Sequence, residues 1–241
     1  KITTVVNVPE NFSNPTIIAL DTQGNLYFAS GDRILKWAPG ATEGITVAGG
    51  NGSGSASNQL FSPRGVFVDL EGNLYISEIG NDRIQKWEPG ASEGITVAGE
   101  SGVSGTSSSQ FMNPRDIFVD ASLNIYVADS GNNRVQKWAL GASEGITVAG
   151  VTGSAGNEAN QLSYPSSIFV DLHGAIYIAD PNNNRLQKWE QGAASGITVI
   201  EGNEMEFYPN SIFVDGAGRI YVSGDMMMGD FIPFTLDLVR F

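Results

Sequence analysis

The chain has 241 residues, 41% of them hydrophobic and 16% charged, and no apolar run approaches the ~20 residues that a membrane-spanning helix needs. Its 13 basic against 26 acidic side chains, a formal net charge of −13, work against nucleic-acid and anionic-membrane surfaces and favour cations, neutral ligands or basic proteins. There is no cysteine, which removes disulfides, thiolate metal sites and cysteine nucleophiles.

In chain order, the first apolar segment is Ile2-Thr3-Thr4-Val5-Val6, followed by the glycosylation sequon Asn11-Phe12-Ser13. No signal-like h-region follows Lys1, so no leader is expected within these residues. A unit then begins at Pro15 and recurs at Pro63, Pro114, Pro165 and Pro209, with spacings of 48, 51, 51 and 44 residues. Periods near 40–50 holding several strands each are the mark of propeller blades.

Each unit carries the same succession of short runs. The first ends in aspartate: Ile17 to Asp21, Val66 to Asp69, Ile117 to Asp120, Ile168 to Asp171 and Ile212 to Asp215. A turn of the Asp-x-x-Gly-Asn kind follows, in which aspartate bonds forward to the backbone and glycine supplies positive φ. The second run has tyrosine at its second position: Leu26 to Ala29, Leu74 to Ser77, Ile125 to Ala128, Ile176 to Ala179 and Ile220 to Ser223. The third runs from Arg33 to Trp37, with copies ending at Trp87, Trp138 and Trp189, and the fourth reads Ile-Thr-Val from Ile45, Ile95, Ile146 and Ile197. β-branched and aromatic residues between turn formers predict strands, and no helical spacing interrupts them. The strands are apolar at successive positions, so both faces of each small sheet are expected to be covered, as radial stacking would do. The tryptophans are expected as wedges between blades, and replacing one with alanine should cost on the order of 3–5 kcal/mol.

The fifth unit ends with a variant third run, Asp237 to Phe241, and lacks a fourth. The spare segment Ile2 to Val6 has the fourth run's character, so it is expected to complete the last blade and close the ring. The expectation is an all-β chain, a single domain over residues 1–241 forming a five-bladed β-propeller of four-stranded antiparallel blades.

The segments Pro-x-x-Ile-Phe-Val-Asp, Asn-Ile-Tyr-Val-Ala-Asp and Asn-Arg-Val-Gln-Lys-Trp within Pro114 to Trp138 resemble the NHL repeat of β-propeller proteins. Members of that family more often have six blades, so five is a departure. The resemblance implies that the second-to-third turns and the inter-blade links share one face with the mouth of the central channel. Ligands favour such concave mouths.

Candidate ligand-binding residues follow from where the copies disagree. Just after the repeat prolines stand Thr16, Arg64, Arg115, Ser166 and Asn210, then Ile17, Gly65, Asp116, Ser167 and Ser211. Arg64 and Arg115 converging on one axis could hold a carboxylate, sulfate or other anion; the alternative is that they pair with Asp116 and with loop acids such as Glu100 or Glu158. The inter-blade links, Gly50 to Ser62, Glu100 to Asn113, Val151 to Tyr164 and Glu201 to Tyr208, are rich in glycine and serine. They read as mobile recognition loops or as solvated connectors. Gly224 to Pro233 replaces the usual polar turn, and its Met226, Met227 and Met228 suit either an adaptable binding surface or a plug for the channel.

The recurring Asp129, Asn132, Asn133 and Arg134, with their copies at Asp180 to Arg185 and at Glu78, Asn81 and Arg83, are expected to serve each blade rather than one active site. The strand-ending Asp21, Asp69, Asp120, Asp171 and Asp215 fall under the same argument, and their spacing lacks the alternating oxygen ligands of a calcium loop. The resemblance also brings to mind enzymes that hold a metal at the channel. Here the single histidine, His173, sits in an Asp-x-x-Gly turn on the opposite face, so neither a Ser/His/Asp set nor a histidine zinc site can be assembled.

The expected function is therefore a non-catalytic binding or scaffold propeller, with no cofactor or metal, presenting a loop-rich face to a protein or glycan. Neither nucleic-acid binding nor membrane insertion is expected. The alternative is a calcium-dependent lyase or hydrolase acting at the channel. A second sequon, Asn51-Gly52-Ser53, tips the localisation toward a secreted or cell-surface protein, with a cytoplasmic one left open.

Overall fold

The computed structural model describes residues 18–201, 207–215 and 218–226. The strand expected to close the ring, Ile2 to Val6, the run Asp237 to Phe241, and Thr16, Ile17, Met227 and Met228 lie outside them. Within them the chain is all-β, apart from two single 3₁₀ turns at Ser130–Asn132 and Pro181–Asn183.

Four antiparallel sheets of four strands follow one another. Blade 1 has β1 (Ile18–Leu20), β2 (Leu26–Ser30), β3 (Arg33–Trp37) and β4 (Ile45–Gly49); blade 2 has β5 (Pro63–Val68), β6 (Leu74–Glu78), β7 (Arg83–Trp87) and β8 (Ile95–Ala98). Blade 3 has β9 (Pro114–Val119), β10 (Ile125–Asp129), β11 (Arg134–Trp138) and β12 (Ile146–Gly150), and blade 4 has β13 (Ser167–Val170), β14 (Ile176–Asp180), β15 (Arg185–Trp189) and β16 (Ile197–Glu201). In the fifth unit β17 (Phe207–Val214) pairs with β18 (Ile220–Met226). Every blade runs in strict up-and-down order. That order places the first-to-second and third-to-fourth turns at one end, and the second-to-third turns and inter-blade links at the other.

The turns form for the reason the sequence suggests. Asp69 Oδ1 accepts the amides of Glu71 (3.0 Å) and Asn73 (2.8 Å), and Asp21, Asp120 and Asp171 repeat the arrangement. The tyrosine that opens the second strand reports back to the same group, with Tyr27 Oη donating to Asp21 Oδ2 at 2.9 Å. His173, exposed, contributes only its amide to such a turn.

The core lies between blades. Trp87 packs with Tyr27, Ile34 and Leu60 from blade 1 and its link, Trp138 with Tyr75 and Ile84 of blade 2, and Trp189 with Tyr126 and Val135 of blade 3. Each indole Nε1–H is satisfied from its own strand, by the side-chain oxygen of Gln85, Gln136 or Gln187 at 2.8, 3.0 and 2.9 Å. At the inner strands, Phe67, Phe118, Phe169 and Phe213 meet edge to face in succession, with centroids 5.3, 5.3 and 6.2 Å apart. A ladder of rings passed from one blade to the next rigidifies the inner wall.

The inter-blade links differ from the mobile loops expected of them. Leu60, Phe111 and Leu162, one per link, are fully buried, and each forms an isolated bridge to Ser53, Ser104 or Ala155 within its own link. The link carbonyls at Ser57, Ser108 and Ala159 accept the amides of Gly94, Gly145 and Gly196 in the following blade. Glycine and serine serve there to fit a backbone into the wedge between blades, leaving most of the link's side chains facing solvent.

Candidate functional site at the channel mouth

The repeated acids and arginines are scaffold. Arg83, Arg134 and Arg185 pair with Glu78, Asp129 and Asp180 at 2.7, 2.7 and 2.8 Å, with all six side chains nearly or wholly removed from water. The remaining donors of each guanidinium go to carbonyls of the preceding link. Arg134, for example, donates to Thr106 O (3.0 Å), Ser107 O (2.8 Å) and Gln110 O (2.9 Å). Each carboxylate in turn accepts a link amide, that of Phe61, Met112 or Ser163, and the side-chain amide of Asn81, Asn132 or Asn183. In each of blades 2, 3 and 4 one ion pair thus pins one link, and none of these groups is left to act on a ligand.

Residues after the repeat prolines form a second bonded system that crosses blades. Register shifts at the start of β5, β9 and β17 lift these residues out of simple pairing. Ser77 Oγ accepts the Gly65 amide (2.8 Å) and donates to the Arg115 carbonyl of the next blade (2.7 Å). Gly65 is required: a Cβ there would stand 2.6 Å from that carbonyl and 2.8 Å from Ser77 Oγ. Ser130 Oγ donates to the Pro165 carbonyl. Ser166, buried, donates to the Pro209 carbonyl at 2.9 Å, so its hydroxyl is committed to the seam between blades 4 and 5.

Asp116 is the hub of this system. Its carboxylate accepts the amides of Ile117 (2.8 Å) and Ile168 (2.9 Å) and the hydroxyl of Ser167 (2.6 Å), whose oxygen accepts the Ile212 amide at 3.2 Å. Blades 3, 4 and 5 are tied through one buried carboxyl. Burial pushes its pKa up to about 6, against the pull of Ser167, the two amides and the Arg64 charge.

Arg64 and Arg115 have a different fate. Neither forms an ion pair or donates a hydrogen bond among the described residues, and the Nε of each is shut off from water with no acceptor. The pairings expected as the alternative do not form. Asp116 is spent on its three donors, Glu100 accepts from Ser109 and Gln110, and Glu158 offers Arg185 its backbone carbonyl. Burial, and then the charge of Arg115, hold the Arg64 guanidinium below its ordinary pKa.

Tyr164 completes the group, and sequence reasoning passed over it. Its ring lies under the Arg115 guanidinium, 4.5 Å from Cζ to centroid. Its backbone is left-handed at φ 59°, where a bulky residue is an outlier, and its amide is held by Asn133 Oδ1 at 2.9 Å. The signal was available as a tyrosine before the repeat proline, where the second and third units have Ser62 and Asn113.

Asn210 stands in β17 beside Pro209, half-buried. Met226 is not in a loop as expected. It is the last residue of β18, with its backbone opposite Phe207. At the opposite end of the blades, a groove of about 590 Å³ between blades 1 and 2 is lined by Asp69, Glu71, Glu88 and Lys36. Asp69 there is already engaged by its own turn.

The NHL repeat matches residues 111–138. The chain is 25% identical over 196 residues to NHL repeat-containing protein 3 of Mus musculus and 22% identical over 194 residues to that of Homo sapiens, in each case over 76% of this chain and 54% of the relative. It therefore spans about half the length of the curated relatives it matches. Among solved structures it is similar to the nidogen/laminin complex (TM-score 0.64, 18% identity, 86% of this chain and 71% of that one). It is also similar to a gluconolactonase from Xanthomonas campestris (0.63, 14%, 86% and 68%) and to a streptogramin B lyase (0.59, 14%, 85% and 60%). At these identities the likeness carries the propeller fold and no activity.

Proposed function

Because this chain belongs to the NHL-repeat family of β-propeller proteins, we propose that it is a non-catalytic binding or scaffold module that receives a protein or glycan at the channel mouth. One observation carries this reading: at the mouth Arg64 and Arg115 keep unspent hydrogen-bonding capacity, whereas the paired arginines of blades 2, 3 and 4 are fully spent on scaffold. An unsatisfied buried donor costs about 1–3 kcal/mol, which a ligand can recover. The anchored links support the same reading, since exposed side chains on a fixed backbone lose little freedom on binding.

A second reading, a calcium-dependent lyase or hydrolase acting at the channel, draws on the lyase and the gluconolactonase among the similar folds. The test is a pull-down and glycan-array screen with the full chain and with the Arg64→Gln/Arg115→Gln variant, alongside metal analysis. Capture that disappears in the variant supports the binding module. Stoichiometric, tightly held calcium would favour the enzyme, and capture indifferent to both substitutions would move the site elsewhere.

A further inference from the structure

We propose that the group received at the mouth is a single carboxylate, seated between the guanidiniums of Arg64 and Arg115 beside the Tyr164 ring; this rests on the reading that a ligand occupies the mouth. The charge of Arg115 acts on Arg64, and among the described residues no acid is paired to either. A fold keeps such an arrangement at a cost, and an oxyanion shared between them removes it while gaining charge-assisted hydrogen bonds.

Among the described residues, the carboxylate coupled to Arg64 cannot take that role. Asp116 lies near enough for the Arg64 charge to act on it, yet its oxygens already accept from Ile117, Ile168 and Ser167. Releasing it would untie blades 3, 4 and 5. The same group sets the charge of the ligand. A dianion such as inorganic phosphate would add repulsion beside a buried carboxyl, and a long polyanion would meet a chain of net charge −13. A monoanion with two equivalent oxygens offers one to each arginine.

Tyr164 supplies the fixed wall. Its left-handed backbone is held by Asn133, and its ring covers one face of the Arg115 guanidinium, leaving the N–H edge for recognition. Because each Nε is closed to water in this arrangement, binding requires the guanidiniums to turn. No hydrogen bond or ion pair among the described residues holds either one back, so the turn disturbs only the stacking of Arg115 on Tyr164.

The test uses the full ¹⁵N-labelled chain and follows arginine Nε–H resonances during titration with sodium acetate, with sodium chloride at matched ionic strength, and with inorganic phosphate. Acetate should shift the Arg64 and Arg115 signals together and saturably, leaving those of Arg83, Arg134 and Arg185 in place. Arg115→Gln should weaken the response at Arg64 by about tenfold or more, the loss of one charge-assisted hydrogen bond. Arg115→Lys, which keeps the charge, should retain part of it. Equal shifts with chloride, or tighter saturation by phosphate than by acetate, would overturn the carboxylate assignment. The mouth reading would survive that result if capture in the screen above still depended on Arg64 and Arg115. Acetate saturation with capture indifferent to both substitutions would instead leave the carboxylate site standing and remove the mouth as the place where the partner docks.

Discussion

Arg134 and Arg115 lie 19 positions apart in the same blade and end in opposite states. Arg134 is buried, pairs with Asp129 at 2.7 Å and gives its other donors to three link carbonyls. Arg115, at the irregular start of β9, stacks on Tyr164 and pairs with no acid among the described residues. The first arginine is written once per blade from blade 1 to blade 4, buried and paired in blades 2 to 4 and half-exposed beside Asp32 as Arg33 in blade 1; the second has a counterpart only at Arg64. The arginine of blades 2 to 4 is spent on the scaffold, whereas Arg64 and Arg115 keep a buried Nε with no acceptor among the described residues.

The largest effect should come from breaking a scaffold pair. Asp129→Ala leaves Arg134 buried without its acid and should cost about 3–5 kcal/mol, read from the urea midpoint. Next comes the hub. The folded pKa of Asp116, about 6, lies above the ordinary 3.8, so the fold favours its protonated form. The stability this contributes is fully present below about pH 4 and is lost as pH rises through about 6. Against Asp116→Asn, wild type should therefore lose about 3 kcal/mol between pH 4 and 7, in order of magnitude. A parallel pair of pH profiles would contradict this. Ser167→Ala strips one donor from Asp116 and the acceptor from the Ile212 amide, and should cost about 1–3 kcal/mol in the same denaturation assay. The smallest effect belongs to Arg64→Gln/Arg115→Gln, which should stay within about 0.5 kcal/mol of wild type, because relief of the two unsatisfied Nε donors and of the like-charge repulsion offsets the lost stacking of Arg115 on Tyr164.

The comparison also marks how far the sequence could be read. Proline spacing, the aspartate turns and the tryptophan register predict the blades nearly strand for strand, because each rests on local chemistry repeated several times. That repetition also identifies Asp129, Asn132 and Arg134 as blade residues. Glycine and serine in the links point the wrong way. They read as mobility, while the anchors, Leu60, Phe111 and Leu162 with the guanidinium donors of Arg83, Arg134 and Arg185, are single residues whose role needs the neighbouring blade in place.

At the mouth, Arg64, Arg115 and Asp116 are visible as departures from the repeat. Their division of labour is not, since Asp116 finds its donors about 50 positions away in Ser167 and Ile168. Tyr164 escapes for a similar reason: nothing local says that a residue before proline will turn left-handed and meet an arginine from the neighbouring blade. Met226, read as part of a pliable loop, is drawn into β18 by pairing with Phe207.

The central claim is that scaffold and site are divided between spent and unspent arginines. The most direct test places Arg134→Gln and Arg64→Gln/Arg115→Gln side by side, measuring urea midpoint and ligand capture for each. The account predicts a lowered midpoint for the first, and for the second an unchanged midpoint with capture abolished. A midpoint that falls as far in the double variant as in Arg134→Gln, or capture that survives it, would contradict the division.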